Sequence, residues 1–417
     1  MSFEIYVHVP FCLRRCGYCD FNTYTAVDLG AGASRGNYAN MVIREMRLVR
    51  DWQLAHGVEE PPASTVFFGG GTPTILPARD LVAMLDAVRA TWGLEPGAEV
   101  TTEANPDTVD ADYIRELADG GFTRVSFGMQ SAMPHVLRTL DRTHTPANVE
   151  AGVRAADAAG LRSSVDLIYG APGESLDDWR TSVRAAIDLG VNHISAYALT
   201  VEPTTKMGRR IAAGTLPKPD DDDEALKYEI VDDMLADAGL EWYEVSNWAR
   251  TGYESRHNLG YWRNVDWAGL GPGAHSHVNA GAIADAGPDD GPRPALRAWD
   301  IAHPRLWGAA INEDRIPWGG SETITPGENL EELIMLGLRI REGLDLARLN
   351  EEIASARESD GSLPLRPIDV AQLRPMVDEG LITVVRDAAN HSRIVPTRRG
   401  RLLNDAVIER FFELAGV

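Results

Sequence analysis

The 417-residue chain is 44% apolar and 24% charged, ordinary usage for a soluble globular protein, and its length allows two or three domains. A formal charge of −22, from 62 acidic against 40 basic residues, excludes a broad nucleic-acid-binding surface. No stretch approaches the roughly 20 apolar residues of a membrane span, and MSFEIYVHVPFC lacks the basic start and long apolar run of a signal peptide, so the expected compartment is the cytoplasm.

The first predicted strand is FEIYVHV (3–9). Further β-rich runs follow at TVFFGGG (65–71), AEVTTEANP (98–106), FTRVSFGMQS (122–131), RSSVDLIYGAP (162–172), NHISAYALT (192–200) and EWYEVSN (241–247). Between and after them, residues 36–56, 78–92, 108–120, 146–160, 174–189 and 221–239 repeat apolar residues at three- and four-residue spacing, the helical period. Strand–helix alternation predicts an α/β fold with a parallel sheet covered by helices, as an open sheet or a complete or partial barrel, with ligands at the carboxyl ends of the strands. Cys12, Gly69 to Thr72, Glu103, Gln130 and Asp166 all fall near such ends.

The acidic run at 220–224 reads either as a cation site or, preferably, as the capped and dipole-matched start of a helix. The Gly-, Pro- and Asp-rich segment 280–296 reads as a surface loop or domain boundary. Beyond it come predicted helices at 328–343 and 369–380, a hairpin from LITVVRD to SRIVPT, and a helix at 401–415, the pattern of a winged-helix-like module. A packing role is preferred to DNA binding there, because Arg398, Arg399 and Arg401 form only a small basic patch.

The chain's three cysteines, Cys12, Cys16 and Cys19, lie within eight positions directly after the first strand. Three clustered thiols cannot form a disulfide framework without an odd one left over, and in a reducing compartment they point to metal or redox work. A structural zinc would have to recruit a fourth ligand such as His8. A [4Fe-4S] cluster takes four cysteines, so three leave one iron open to a small ligand.

The C-x3-C-x2-C spacing resembles the signature of the radical S-adenosylmethionine (SAM) superfamily. That resemblance implies that SAM chelates the open iron and is cleaved by an electron from the cluster to a deoxyadenosyl radical. It implies SAM-site roles for Tyr18, in the usual aromatic position, and for Gly70, Gly71 and Thr72 at a glycine-rich strand end. Arg142 suits the SAM carboxylate, and Glu103, Gln130 and Asp166 suit its hydroxyls.

The blocks YVHVPFC, FFGGGTPT, EANP, RVSFGMQS, DLIYGAPGE, HISAYALTVEPTT, YEVSNWA, HNLGYWRNVDWAGLGPGAHS, MLGLR and RGRLLND resemble, in order, the coproporphyrinogen III oxidase-like branch. The resemblance implies a partial TIM-type (β/α)6 barrel over residues 1–250, a connecting segment at 251–320, and a C-terminal α+β winged-helix-like domain at 321–417. It adds Tyr6 and Ala198 to the SAM site. The oxidative-decarboxylase type in this branch carries a further cysteine where this chain has Phe21, and a long extension before the motif, which here starts eleven residues from Met1. Both departures favour the heme-chaperone type, whose implied partners are heme and recipient apo-hemoproteins, with peripheral membrane association and a homodimer as further expectations. The block HNLGYW supplies His257, Tyr261 and Trp262 as heme candidates. His257 reads equally as an axial ligand or as a hydrogen-bonded structural residue, and His275 and His277 are secondary candidates.

Overall fold

The computed structural model describes residues 2–279, 295–359, 364–387 and 390–417. Strands β1 (Phe3–Val9), β2 (Ala63–Gly70), β3 (Leu94–Ala104), β4 (Arg124–Gln130), β5 (Arg162–Tyr169) and β6 (His193–Ala198) pair in sequence order, each parallel to the next. Helices α1 (Tyr38–Ala55), α2 (Ala78–Thr91), α3 (Ala111–Gly120), α4 (Pro134–Thr139), α5 (Pro146–Ala158) and α6 (Leu176–Asp188) make the crossovers. Their starts are marked chemically: Thr145 with Asn148, and Ser175 with Asp178, form reciprocal caps on α5 and α6.

Successive strand residues face opposite sides of a sheet, and here the two sides differ in chemistry. Phe3, Ile5, Val7 and Val9 of β1, and Val125 and Phe127 of β4, are wholly buried in the apolar layers. The alternate set, including Tyr6, Thr101, Glu103, Ser126, Asp166 and Ser195, lines one cavity of about 570 Å³. In a flat sheet the first and sixth strands would stand about 24 Å apart, at about 4.8 Å per strand, so their convergence on one cavity means that the sheet curls around it. The result is the expected partial (β/α)6 barrel, whose β1 edge is taken by a later strand rather than by β6.

After β6 come α7 (Lys206–Ala212) and α8 (Asp221–Asp237), then β7 (Glu241–Glu244) and β8 (Asn247–Ala249), which continue the sheet from β6. The acidic run at 220–224 caps α8, with Asp220 accepting from the Asp223 amide, while Asp223 and Glu174 hold the buried Lys227. Residues 251–320 are continuous with the core sheet. They carry α9 (Arg256–Trp262), β9 (Asp266–Leu270), β10 (His275–Val278), β11 (Ala295–Asp300), α10 (Pro304–Asn312) and the start of β12 (Trp318–Ile324). Strand β9 lies parallel to β1, and β10 to β12 extend the sheet antiparallel from it. Of the segment expected as a loop at 280–296, residues 280–294 lie outside the described residues, and Ala295 and Leu296 open β11.

The C-terminal module runs α11 (Pro326–Gly337), β13 (Leu344–Asp345), α12 (Leu346–Ser359), α13 (Arg374–Asp378), β14 (Ile382–Arg386), β15 (Ser392–Pro396), α14 (Arg398–Leu402) and α15 (Asn404–Ala415). Its three-stranded sheet has the order β13-β15-β14, around a separate apolar core. The helix expected over 328–343 stops at Gly337 because the next residues bond to β7 instead. The Arg341 amide donates to the Tyr243 carbonyl at 2.9 Å and the Val245 amide to the Arg339 carbonyl at 3.2 Å. Two of the three arginines read as a small basic patch have partners in α8: Arg401 makes a two-armed bond to Asp232 at 2.7 and 3.1 Å and stacks 4.4 Å over Trp242, and Arg398 pairs with Asp232 and Asp233.

Arg401 and Asp232 are nearly buried, so truncating either strands a charge at the domain contact. Arg401→Ala is expected to lower stability by about 3 kcal/mol and to separate the urea unfolding of the two domains into distinct transitions.

Candidate functional site

The cysteine loop leaves β1 at Pro10 and is held by its neighbours' backbones. The Gly71 and Thr72 amides donate to the Val9 and Phe11 carbonyls, both at 2.8 Å, and the Cys12 amide donates to the Tyr24 carbonyl at 2.9 Å. Gly71 is required by proximity: a Cβ there would lie 2.6 Å from the Phe11 carbonyl oxygen and 3.1 Å from the Cys12 sulfur. On the far side, the Met207 amide at the start of α7 donates to the Gly17 carbonyl at 2.7 Å. Asn22, just past the loop, donates to the Pro272 and Ala302 carbonyls at 2.8 and 2.7 Å.

Cys12 is buried, and Cys16 and Cys19 are half-buried. Burial holds the Cys12 and Cys19 thiols above their ordinary range, so a bound metal would have to displace their protons. The three sulfurs are not gathered within 4.8 Å of one another. A single tetrahedral zinc, with Zn–S of about 2.3 Å, needs sulfurs about 3.8 Å apart, inside the 4.8 Å within which these three do not gather. Asp345, Asp387 and His391 on the wing do lie that close, but Arg393 sits between the carboxylates at 3.2 and 3.1 Å and supplies the positive charge.

Every residue expected at the SAM site lines the same cavity as the thiols: Tyr6, Tyr18, Gly70, Gly71, Thr72, Glu103, Gln130, Arg142, Asp166 and Ala198. Gln130 is a non-glycine residue at φ +61, where the β4–β5 register shifts. Such local strain turns a side chain where regular alternation would not. Glu103 takes the Gly70 amide at 3.2 Å, and burial together with the nearby Asp166 pushes it up to about 8, so at neutral pH it is a protonated donor. Asp166 accepts from the Ser126 hydroxyl, which its two carboxyl oxygens share at 3.0 and 3.1 Å. Arg142 donates to the Gly128 carbonyl at 3.1 Å, to Asn105, and to the Cys16 sulfur at 3.5 Å, so it braces the cysteine loop as well as facing the cavity.

The HNLGYW block divides. His257 and Tyr261, four residues apart on α9, share a face and reach the cavity floor, whereas Trp262 is absent from the lining and packs with Leu259 and Ile340 near Arg339. His257 is 1% exposed and stacked on Phe67 at 5.0 Å. Its Nδ1 meets Thr65 Oγ1 at 2.6 Å and its Nε2 meets the Tyr261 hydroxyl at 3.1 Å. Iron ligation would require breaking one of these bonds. His275 is exposed and His277 is buried against Trp267.

Several residues around the site went unread in the sequence, and His8 was read only as a candidate fourth ligand for zinc. Glu4 lies 3.4 Å from His257 Nδ1, and Gly260 is small because a Cβ there would strike the Glu4 carboxyl. His8 links the Tyr6 hydroxyl, at 3.1 Å, to the Asn22 carbonyl, at 3.0 Å. Asp141, at φ +58, pairs with Arg14 of the cysteine loop at 3.0 Å and with Lys206 of α7 at 2.8 Å. The period-two set Glu4, Tyr6 and His8 was available in FEIYVHV as one strand face.

Burial, followed by repulsion from Glu99, pushes Glu4 up to about 9, and burial pushes His257 down to about 3, so both are neutral at pH 7. A carboxyl with a raised folded-state pKa stabilises fully below its ordinary 4.5 and loses that contribution as pH climbs through about 9. Glu4→Gln is therefore expected to flatten the alkaline loss of stability, measured as the urea midpoint across that window in wild type and variant.

Two family models match the chain: the radical SAM superfamily at residues 6–186 and the HemN C-terminal domain at residues 324–403. A heme chaperone HemW from Mycobacterium tuberculosis is 42% identical over 407 residues, covering 97% of this chain and 94% of that one. A heme chaperone HemW from Bacillus subtilis is 31% identical over 410 residues, covering 97% and 98%. The solved coproporphyrinogen III oxidase HemN from Escherichia coli shares the fold, with a TM-score of 0.76 at 20% identity over 98% of this chain and 90% of that one. The radical SAM superfamily implies a [4Fe-4S] cluster and SAM. With near-complete coverage on both sides at these identities, the chain belongs to the HemW family of radical SAM proteins.

Proposed function

We propose that the chain is a cytoplasmic heme carrier that binds a [4Fe-4S] cluster, SAM and heme and passes heme to apo-hemoproteins. The observation that carries this reading is the single cavity, in which three thiols and ten SAM-site candidates converge from six consecutive strands and their following loops. The heme function follows the name of relatives aligned over nearly the whole chain. Phe21 stands 60% exposed at the cavity mouth, where the decarboxylase type would carry a thiol.

In this proposal Cys12, Cys16 and Cys19 hold the cluster, which together with SAM supplies one-electron chemistry when bound. Arg142 meets the carboxylate of SAM while fixing Cys16. Protonated Glu103 donates to one ribose hydroxyl, and Asp166, whose carboxyl burial also pushes up, faces the other. Gly70 and Gly71 let the backbone approach closely, and Tyr18 closes the apolar wall with Leu140 and Ile168.

Cys16→Ser is expected to abolish the visible charge-transfer absorbance of the anaerobically reconstituted protein, and an unchanged spectrum would refute the ligand assignment. Titration of wild type with hemin is expected to give a saturable absorbance change, followed by transfer of heme to an apo-hemoprotein. No saturable change, or conversion of coproporphyrinogen III by the reconstituted protein, would return the chain to the decarboxylase reading.

A further inference from the structure

If the chain carries heme, the HNLGYW block is a poor place for it. His257 lies at the cavity floor, 1% exposed with both ring nitrogens bonded, and Trp262 faces the C-terminal domain. A macrocycle would have to pass the space assigned to the cluster and SAM to reach the imidazole.

The outer face of the cysteine loop offers a different surface. Leu13 and Phe21 are 61% and 60% exposed, and Phe21 lines the cavity mouth. Exposed apolar side chains scattered singly need no explanation, but these two belong to one loop, Leu13 between the first and second cysteines and Phe21 two residues past the third, with Arg14 and Arg15 beside Leu13. Arg14 lines the same mouth. Arg15 donates to the Phe21 carbonyl at 3.3 Å, which places its guanidinium beside that ring's backbone. Among the described residues no carboxylate lies within 4.0 Å of Arg15, so its charge is not neutralised locally. Helix α7, docked on the loop through Gly17, adds Lys206, Arg209 and Arg210. Asp141 pairs with both Arg14 and Lys206, so Arg15 is the loop's cation without a carboxylate partner among the described residues, on a chain of charge −22.

A flat apolar ring edged by two carboxylates is the ligand that this pattern matches. We propose that heme docks on the outer face of the cysteine loop, its macrocycle against Leu13 and Phe21 and its propionates toward Arg15 and the basic face of α7. Apolar contact holds the ring, and guanidinium–carboxylate pairing fixes its orientation. The inference rests on the heme-carrier reading and assigns no iron ligand.

The test is hemin titration of the full chain as wild type, Arg15→Glu, Leu13→Ser/Phe21→Ser and His257→Ala, with circular dichroism and cluster absorbance recorded for each. Arg15→Glu, an exposed change, is expected to weaken hemin binding about tenfold, with cluster absorbance kept. The double serine variant is expected to do the same or more. If wild type shows no saturable binding, the carrier reading falls before this one is reached. If wild type binds and Arg15→Glu binds equally, the loop-face site is overturned, whatever the folding of the double variant. Loss of binding in His257→Ala with the loop variants unaffected would also overturn it, and would return heme to the block on α9. Flotation with phosphatidylglycerol vesicles separates the remaining alternative: loop variants that lose vesicle binding and keep hemin would make this face a lipid contact and overturn the proposal.

Discussion

Three sulfurs on eight residues of irregular chain can act together only if that chain is rigid, and this is the constraint on which the rest of the structure depends. A loop has no ladder of its own to satisfy its backbone. Here its partners come from elsewhere: the glycine-rich end of β2, the Tyr24 carbonyl, the first turn of α7, and the Arg142 side chain beyond β4. The barrel thus supplies more than the floor of a cavity, since its strand ends are the frame on which the thiols are spaced.

The same constraint explains the chemistry of the lumen. A parallel sheet covered on both faces by helices ordinarily carries apolar residues on both. These strands alternate instead, and the polar half can be buried only because the sheet curls around it. Burial, with repulsion from Glu99 at Glu4 and from Asp166 at Glu103, then drives Glu4 and Glu103 to hold protons at neutral pH.

What could be read in advance follows from the range of the interactions. The cysteine spacing, the glycine run and the strand–helix alternation are local signals, and the predicted strands and helices of the first 240 residues match observed ones within a few residues, whereas the short helices α4 and α7 were not predicted and EWYEVSN spans an antiparallel turn from β7 into β8. The pairing of β9 with β1 was not legible, because DWAGL carries no mark of its partner 260 residues earlier. Helix α12 was missed because its mostly polar sequence masks Leu346, Leu349, Ile353 and Ala356, which pack at helical spacing. The division of HNLGYW was legible and was not read: in a helix, residues four apart share a face, and the next one points about 100° away. The cation–carboxylate contacts between Arg401 and α8 required the tertiary fold, since the arginines alone look the same whether paired or free.

The side chain of Asn22 binds the carbonyls of Pro272 and Ala302, about 250 and 280 residues downstream. During synthesis the first twenty residues leave the ribosome long before those carbonyls exist, and contacts so distant along the chain close late. The loop is therefore braced in two stages, first by Tyr24, the end of β2, Arg142 and α7, and by the Asn22 clamp only after most of the polypeptide has emerged.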